Sequence, residues 1–456
     1  MVPGTITAKQ ARLAVALLFG VNFLNYIDRY VIAAVAPLIQ RDFDLRDAQI
    51  GLIGSMFMVA YIAASPIAGV LADRFPRRFF VGGGVLVWSL ATVASGLAGG
   101  YRSLLGARSF IGVGEAGFGG VAPTLISDLF PKEKRGRMLA YFYVAIPVGS
   151  ALGFLLGGYV GEHHGWRQAF FLAGAPGVAL GLLALGMAEP PRGAGDGALH
   201  TQRAFDRRAA FDLVRNPSFV WTTLGMSAMT FALGGLAYWV PTFFHRVRGL
   251  PLHEANALFG GVTVAAGLVG TFLGGWLGDS LQAGPQGLPG RLVEGTLVSR
   301  WLGRWLLTRT KKAYLLVSGW GMLLGVPAAY VGLTAVDRDV YLPAIFIAEV
   351  LVFLNTGPAN AVLVNVALPE IRATAIAFSI FVYHLFGDVP SPILIGWVSD
   401  WTQSLGMAML LTTVAMGVSG VFYLLGSRSL GEDTDRVLRT VAERERLYAE
   451  GAAHAG

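Results

Sequence analysis

Residues 21–39 read VNFLNYIDRYVIAAVAPLI, and this stretch places an acid and a base, Asp28 and Arg29, inside an apolar run. The run begins near Ala11 and exceeds the roughly 20 residues that a helix needs to cross a bilayer. A charged side chain at that depth costs about 3 kcal/mol or more unless it faces a partner or a cavity. Because neighbouring helix residues point about 100° apart, Asp28 and Arg29 need different partners on other helices.

The whole chain is too apolar for a soluble protein. Of its 456 residues, 54% are hydrophobic and 14% are charged, and the mean hydropathy is +0.58. The apolar runs are long and do not alternate, so they predict membrane helices rather than barrel strands. The first run is longer than the apolar core of a signal peptide, which predicts a retained helix. The chain has no cysteine, which excludes disulfides, thiolate metal sites and cysteine nucleophiles.

Apolar runs bounded by Gly, Pro and charged residues predict an all-α integral membrane protein with twelve transmembrane spans. We number them 1 to 12, near residues 12–39, 49–72, 79–99, 103–127, 137–160, 167–187, 218–244, 255–278, 312–333, 340–365, 372–398 and 405–426. On the side of the N-terminus the loops and tails carry 26 Lys and Arg residues, against seven on the opposite side. Because the cytoplasmic loops of membrane proteins carry an excess of Lys and Arg, we expect both termini in the cytoplasm. The compact Arg- and Ala-rich loops suggest a bacterial cytoplasmic membrane.

A glycine precedes an acidic residue by four positions at the end of every third span. The pairs are Gly69 and Asp73, Gly158 and Glu162, Gly275 and Asp279, and Gly396 and Asp400, in spans 2, 5, 8 and 11. This repeat predicts two pseudo-symmetric six-helix bundles. Their predicted ranges are 1–187 and 217–427, with a cytoplasmic linker at 188–216 and a tail helix at 428–456.

The two halves differ by an insert after span 8, near residues 280–311. It carries Arg300 and Arg304 on one helical side and Leu302, Trp305 and Leu306 on another. This pattern predicts an interfacial helix on the cytoplasmic surface, and a disordered Gly-rich loop is the alternative.

The loop after span 2 reads GVLADRFPRR, residues 69–78. It resembles the G-x-x-x-D-R-x-x-R-R cytoplasmic motif of the major facilitator superfamily, whose transporters bind substrate near the midplane between two six-helix halves. The predicted cytoplasmic gate consists of Gly69, Asp73, Arg74, Arg77 and Arg78. Each ion pair from this loop to a neighbouring helix end can shift a conformational equilibrium by about 1 kcal/mol. The alternative is that the arginines only set the membrane orientation.

Span 4 carries two further charges, Arg108 and Glu115. A spacing of seven residues puts both on one helical face, about 10 Å apart. Together with the charges of span 1 they predict a cluster in the first half of the chain. A buried acid beside an arginine can exchange its proton after a small motion. Asp28 and Glu115, with Arg108 as the tuning cation, are therefore the predicted proton-coupling residues. A permanently charged network that pins span 1 to span 4 is the alternative.

Predicted substrate-binding residues lie in both halves. Arg29 has a planar donor fork that suits a phosphate or carboxylate, and Tyr26 lies beside it. In the less charged second half the candidates are Glu349, Asn360, Phe381 and His384, against an aromatic background that suits an acyl chain. Three of them have a structural alternative: a hydrogen bond to Asn355 or to another helix for Glu349, bridging of helices for Asn360, and packing for the aromatic Phe381. Gly387, Pro390 and Pro392 predict a bent or broken span 11.

Several ordered motifs narrow the resemblance. They are NYIDR at 25–29, GVGEA at 112–116, APTLISDLF at 122–130, YVAIPVGS at 143–150 and FGDVPSP at 386–392. All resemble the spinster family of lipid transporters. The resemblance implies transport of amphipathic lipids such as lysophospholipids or sphingosine-1-phosphate, with the acid of span 1 and the Arg and Glu of span 4 linked to protonation. In this chain those residues are Asp28, Arg108 and Glu115.

We therefore expect a proton-coupled, alternating-access transporter of an amphipathic lipid rather than an enzyme. Its expected partners are the lipid substrate, protons and membrane lipids, with no nucleic acid and no cofactor or metal, and it is expected to be a monomer. No P-loop sequence is present, so ATP-driven pumping has no support. The alternatives are a carrier of a small organic anion or drug, a non-transporting lipid receptor, and a passive scramblase.

Overall fold

The computed structural model describes residues 6–192, 194, 211, 213–283 and 310–455. Within these residues, twelve helical segments are long and apolar enough to cross a membrane, which confirms the predicted spans and fold class. The helices are Ala8–Asp42, Asp47–Arg74, Arg77–Gly96, Tyr101–Gly119, Val121–Leu129, Lys132–His164, Trp166–Leu185, Pro217–Arg246, Leu252–Ala283, Ala313–Thr334, Arg338–Phe353, Thr356–Asn365, Arg372–Phe386, Pro390–Thr402 and Leu405–Ala455, with a 3₁₀ turn at Pro369–Ile371. The predicted interfacial helix of the insert lies outside the described residues.

Spans 4, 10 and 11 each consist of two consecutive helices. The break in span 11 falls at residues 387–389, as predicted, because proline at position 390 has no N–H to continue the helical ladder. The break in span 10 falls at Leu354 and Asn355. The buried Asn355 side chain donates to the Val352 carbonyl and accepts from the Tyr423 hydroxyl at 3.3 Å. A buried amide thus satisfies a backbone carbonyl next to the break.

Span 12 continues without interruption into the tail, so the tail helix predicted at 428–456 is an extension of span 12 rather than a separate element. The buried Asp433 accepts a hydrogen bond of 3.1 Å from the backbone N–H of Ser218 in the first turn of span 7. Lys311, just before span 9, contacts Asp435 at 2.5 Å. A carboxylate is stabilising at the N-terminus of a helix, so these contacts hold the extension against the starts of two other spans.

Packing divides the described chain into two compact units. The first contains residues up to 194, 234–264 and 388–409, and the second contains the described residues within 211–233, 265–387 and 410–455. The boundaries between these units fall within spans 7, 8, 11 and 12, so the units differ from the two halves that the sequence repeat predicts. The predicted ranges of the two bundles, the linker and the tail therefore remain predictions.

Two of the four glycine–acid pairs make contacts between helices of the first unit. Asp400 accepts hydrogen bonds from the backbone N–H groups of Asp47 at 2.9 Å and Ala48 at 3.0 Å, at the start of span 2. A Cβ on Gly396 would lie 2.3 Å from the Asp47 carbonyl oxygen, so only glycine permits this approach. Glu162 in turn accepts from the backbone N–H of His253 at 2.6 Å, at the start of span 8. The repeat thus supplies side-chain caps to helices distant in sequence.

Candidate functional site

Asp28, Arg29, Arg108 and Glu115 meet in one group, which we call the charge cluster. Arg29 Nε lies 2.7 Å from Glu115 Oε2, and Arg108 Nη1 lies 3.9 Å from Asp28 Oδ1. Neighbours on span 1 therefore bind different partners on span 4, as their 100° separation predicts. Asp28, Arg108 and Glu115 are each about 1% exposed. The predicted juxtaposition of spans 1 and 4 is confirmed, and the structure supplies the pairing that spacing alone left open.

Arg29 is the accessible member of the charge cluster. Its side chain is 21% exposed, whereas that of its partner Glu115 is 1% exposed. The guanidinium carbon lies 5.2 Å from the ring centroid of Tyr26, 5.1 Å from Phe57 and 5.4 Å from Tyr61. These distances allow cation–π contacts that hold the guanidinium plane in place. The arrangement leaves an oriented cation, bordered by aromatic rings, at the edge of the cluster.

Asp28 is held differently. Its Oδ2 accepts a hydrogen bond from the hydroxyl of Thr92 in span 3. Its Oδ1, and the Nε and Nη1 of Arg108, have no hydrogen-bond partner within the part of the chain that the structure describes. At 3.9 Å the Asp28–Arg108 contact is an ion pair without a direct hydrogen bond. Sequence reasoning did not select Thr92, because one threonine in an apolar span is a weak signal.

The predicted cytoplasmic gate separates into a buried part and an exposed part. Arg77 is buried, and its Nη1 lies 2.6 Å from Asp128 Oδ2 while its Nε lies 3.3 Å from Glu189 Oε1. The Glu189 carboxylate also accepts from the backbone N–H groups of Arg77 at 2.9 Å and Arg78 at 3.4 Å. Arg77 thus ties the start of span 3 to the ends of spans 4 and 6.

Gly69, Asp73 and Arg74 are exposed at the end of span 2. A Cβ on Gly69 would meet no atom within 4 Å. Arg192 lies 4.0 Å from the Asp73 carboxylate and donates to the carbonyl of Ala72 at 2.6 Å. A cation at the C-terminal end of a helix satisfies carbonyls that have no helical partner.

The candidates of the second half lie in different surroundings. Glu349 is 1% exposed in the first helix of span 10. Asn360 is exposed, and its side chain donates to the Thr356 carbonyl of its own helix at 2.8 Å. His384 is half-buried, with its ring centroid 4.5 Å from that of Tyr383. Phe381 is 42% exposed. Of these four, Glu349 is the most deeply buried ionisable group.

Apolar grooves lie on the surface of the membrane-spanning helices. One, of about 540 Å³, runs between spans 2, 3 and 4 and is lined by side chains that include Ile67, Leu71, Phe79 and Val113. Another, of about 450 Å³, lies along span 8 at Phe272 and Trp276. Each offers an apolar surface on membrane-spanning helices that an acyl chain can contact.

Twelve helices that are long and apolar enough to span a membrane, with a buried charge cluster, define a multi-pass membrane protein within the described residues. A model of the Major Facilitator Superfamily matches residues 18–392. Among curated relatives, Protein spinster homolog 3 of Danio rerio is 34% identical over 460 residues, covering 94% of this chain and 87% of that protein. The sphingosine-1-phosphate transporter SPNS2 of Danio rerio is 32% identical over 462 residues, covering 94% and 86%.

A solved structure gives the same result. The crystal structure of a bacterial homolog to the human lysosomal transporter Spinster matches with a TM-score of 0.80 and 25% identity, over 94% of this chain and 99% of that chain. The chain belongs to the spinster family of the major facilitator superfamily. The resemblance of its motifs to that family is thereby confirmed.

Proposed function

We propose that this chain is a proton-coupled, alternating-access transporter of a lysophospholipid or a sphingosine-1-phosphate-like lipid. The observation that carries the proposal is the charge cluster, which keeps two acids and two arginines together inside membrane spans. Such charges cost stability and are retained chiefly for a function that uses them. One relative is the sphingosine-1-phosphate transporter SPNS2 of Danio rerio, which supports an anionic lipid as cargo.

Proton coupling is assigned to Asp28 and Glu115, with Arg108 as the tuning cation. Asp28 is the stronger candidate. Glu115 binds its arginine through a direct hydrogen bond of 2.7 Å, whereas Asp28 faces its arginine at 3.9 Å without one. Protonation of the Asp28 carboxylate removes one charge of a buried pair that is held without a direct hydrogen bond. Gain and loss of the proton can therefore favour different arrangements of spans 1 and 4.

Recognition of the lipid head group is assigned to Arg29 and Tyr26. Arg29, whose side chain is 21% exposed, is the more accessible arginine of the charge cluster, and its planar guanidinium matches a phosphate or carboxylate. A bound anion would compete with Glu115 for the same guanidinium, which links cargo binding to the charge state of the acid. Glu349, Asn360, Phe381 and His384 are the proposed contacts in the second half. The apolar grooves supply surface for the acyl chain, at about 0.8 kcal/mol per buried methylene.

Gly69, Asp73, Arg74, Arg77 and Arg78 form the proposed cytoplasmic gate. The buried Arg77 is its fixed anchor, and the exposed Asp73 and Arg74 are available to other helix ends. This assignment goes with both termini in the cytoplasm, with a bacterial cytoplasmic membrane and with a functional monomer, all of which are part of the proposal. A carrier of a small organic anion is the alternative, since the accessible Arg29 suits any such anion.

The test is uptake of labelled lysophospholipid into proteoliposomes, with and without an imposed pH gradient. The wild type is compared with Asp28→Asn and Glu115→Gln, which remove the titrating group at similar size. Asp42→Asn is the matched control, because Asp42 also lies on span 1 but pairs with Arg167 at the exposed end of the helix. Gradient-dependent flux that Asp28→Asn abolishes and Asp42→Asn leaves intact is the expected result.

Other outcomes separate the parts of the proposal. Flux of lysolipid that ignores the gradient in every variant would point to a scramblase and remove proton coupling. Folded protein without lysolipid flux, but with gradient-driven uptake of a hydrophilic anion, would remove the lipid cargo and retain the charge cluster. Binding without flux of either would support a receptor.

A further inference from the structure

Thr92 joins the Asp28 carboxylate to the backbone of span 3. The residue is fully buried, and its hydroxyl is placed to donate both to Asp28 Oδ2 and, at 2.9 Å, to the carbonyl oxygen of Trp88. A threonine hydroxyl has one hydrogen and can serve only one of these acceptors at a time. The same oxygen can also accept a hydrogen bond. Thr92 therefore has one hydrogen for two acceptors. The direction in which its O–H points depends on whether Asp28 is protonated.

The Thr92 hydroxyl has a hydrogen-bond partner in both charge states of Asp28. When Asp28 is a carboxylate, Thr92 donates to it, and the Trp88 carbonyl keeps its place in the helical ladder. When Asp28 carries a proton on Oδ2, the acid donates to Thr92 Oγ1, and the threonine hydrogen rotates to the Trp88 carbonyl. Neither state leaves the hydroxyl without a partner, so the hydroxyl can follow the proton at little cost in free energy.

Backbone packing fixes the position of Thr92. A Cβ on Gly174 of span 6 would lie 2.9 Å from the Thr92 Cβ, so span 6 approaches closely only because residue 174 is glycine. Span 6 thus packs closely against span 3 at Thr92, and Asp28 of span 1 binds the Thr92 hydroxyl. The charged groups near Asp28 are Arg108 and Glu115 from span 4 and Arg29 from its own helix. Thr92 is the neutral hydrogen-bonding group among them.

We propose that Thr92 is a positioning residue for proton exchange at Asp28, which donates to the carboxylate and accepts from the acid. The proposal rests on the proposed proton coupling, but it concerns a residue that none of the family motifs quoted above contains. It predicts that the hydroxyl, rather than the volume of the side chain, sets the pH at which Asp28 exchanges its proton.

The test is an infrared titration of the protonated carboxyl band in purified protein, between about pH 4 and 9, with Asp28→Asn to assign the band. Thr92→Val removes the hydroxyl at nearly constant volume, and Thr92→Ser retains it. We expect Thr92→Val to move the midpoint of the Asp28 band by about one unit to higher pH, because the hydrogen bond lost by the carboxylate is stronger than the one lost by the protonated acid. Thr92→Ser should return the midpoint to the wild-type value. The control is Thr222→Val, which deletes a fully buried hydroxyl in the second unit.

An equal midpoint in Thr92→Val and the wild type would overturn the proposal, as would a shift of the same size in Thr92→Ser. If Thr92→Val does not fold, Thr92→Ala replaces it and is compared with Thr92→Ser in the same way. The titration needs no cargo, so failure of lysolipid transport leaves it valid. Absence of an Asp28 band in the wild type at any pH would overturn both this proposal and the assignment of Asp28 to proton coupling.

Discussion

The charge cluster contains two acid–arginine pairs that differ in construction. In the first, Arg29 and Glu115 are 2.7 Å apart and aromatic rings border the guanidinium. In the second, Arg108 and Asp28 are 3.9 Å apart, and a neutral hydroxyl supplies the hydrogen bond to the acid. A close, hydrogen-bonded pair stabilises both charges, whereas a looser one leaves its acid freer to change state. Similar residue pairs can thus suit the two proposed roles, anion binding at Arg29 and proton exchange at Asp28.

The largest expected effect comes from breaking the close pair. Glu115→Gln leaves Arg29 without its charged partner, and we expect it to lower the free energy of unfolding by about 3 kcal/mol. Reversible unfolding in detergent, followed by the fluorescence of the ten tryptophans, measures it. The double variant Arg29→Gln with Glu115→Gln should recover part of the loss, since it removes both charges. A double variant no more stable than Glu115→Gln would contradict the assigned pairing.

Replacement of the guanidinium group of Arg29 tests the proposed role of this residue in anion binding. Arg29→Lys keeps the charge but loses the planar donor pair, and we expect the dissociation constant for lysophospholipid to rise by about tenfold. Equilibrium binding with a labelled lysolipid measures it, with Arg102→Lys at the exposed start of span 4 as the control. Equal weakening in both variants would show that the effect is not local to the charge cluster.

Asp28→Asn tests the looser pair. Asparagine matches the shape of the protonated acid and can accept from Thr92. Arg108 loses its partner but keeps the charge of Glu115 nearby and the Phe57 ring at 5.2 Å, so we expect a loss of about 1 kcal/mol in the free energy of unfolding, smaller than that of Glu115→Gln. The same unfolding experiment measures it, alongside the transport assay in which this variant should lose its response to the gradient. Destabilisation as large as that of Glu115→Gln would erase the contrast between the two pairs.

The smallest effect is expected at an exposed pair of similar geometry. Arg167 Nη1 lies 2.8 Å from Asp42 Oδ2, yet both side chains are more than 40% exposed. Because water screens such a pair, Asp42→Asn should change the free energy of unfolding by about 0.5 kcal/mol or less. A loss approaching that of Glu115→Gln would mean that distance rather than burial decides the value of these pairs.

Hydropathy predicts the twelve spans because crossing a bilayer imposes length and apolarity on each helix separately. The pairing within the charge cluster depends on the rotation of span 1 against span 4, which side-chain packing sets and spacing does not. The break at Asn355 and the unbroken helix through Gly431 were missed for related reasons. A buried amide can stabilise an interruption, and one glycine near a helix end does not terminate it when contacts such as Asp433 with Ser218 support the extension.

The cap that Asp400 provides to span 2 also bears on how the chain is made. Asp400 lies 353 residues after Asp47, whose backbone N–H it binds. At about 5 to 20 residues per second, span 2 waits for tens of seconds after its own synthesis before Asp400 leaves the ribosome. Until then the N–H groups at its start depend on water or on other partners. Biogenesis of the first unit is therefore expected to finish only when the second-to-last span is inserted, and early fragments should be prone to degradation.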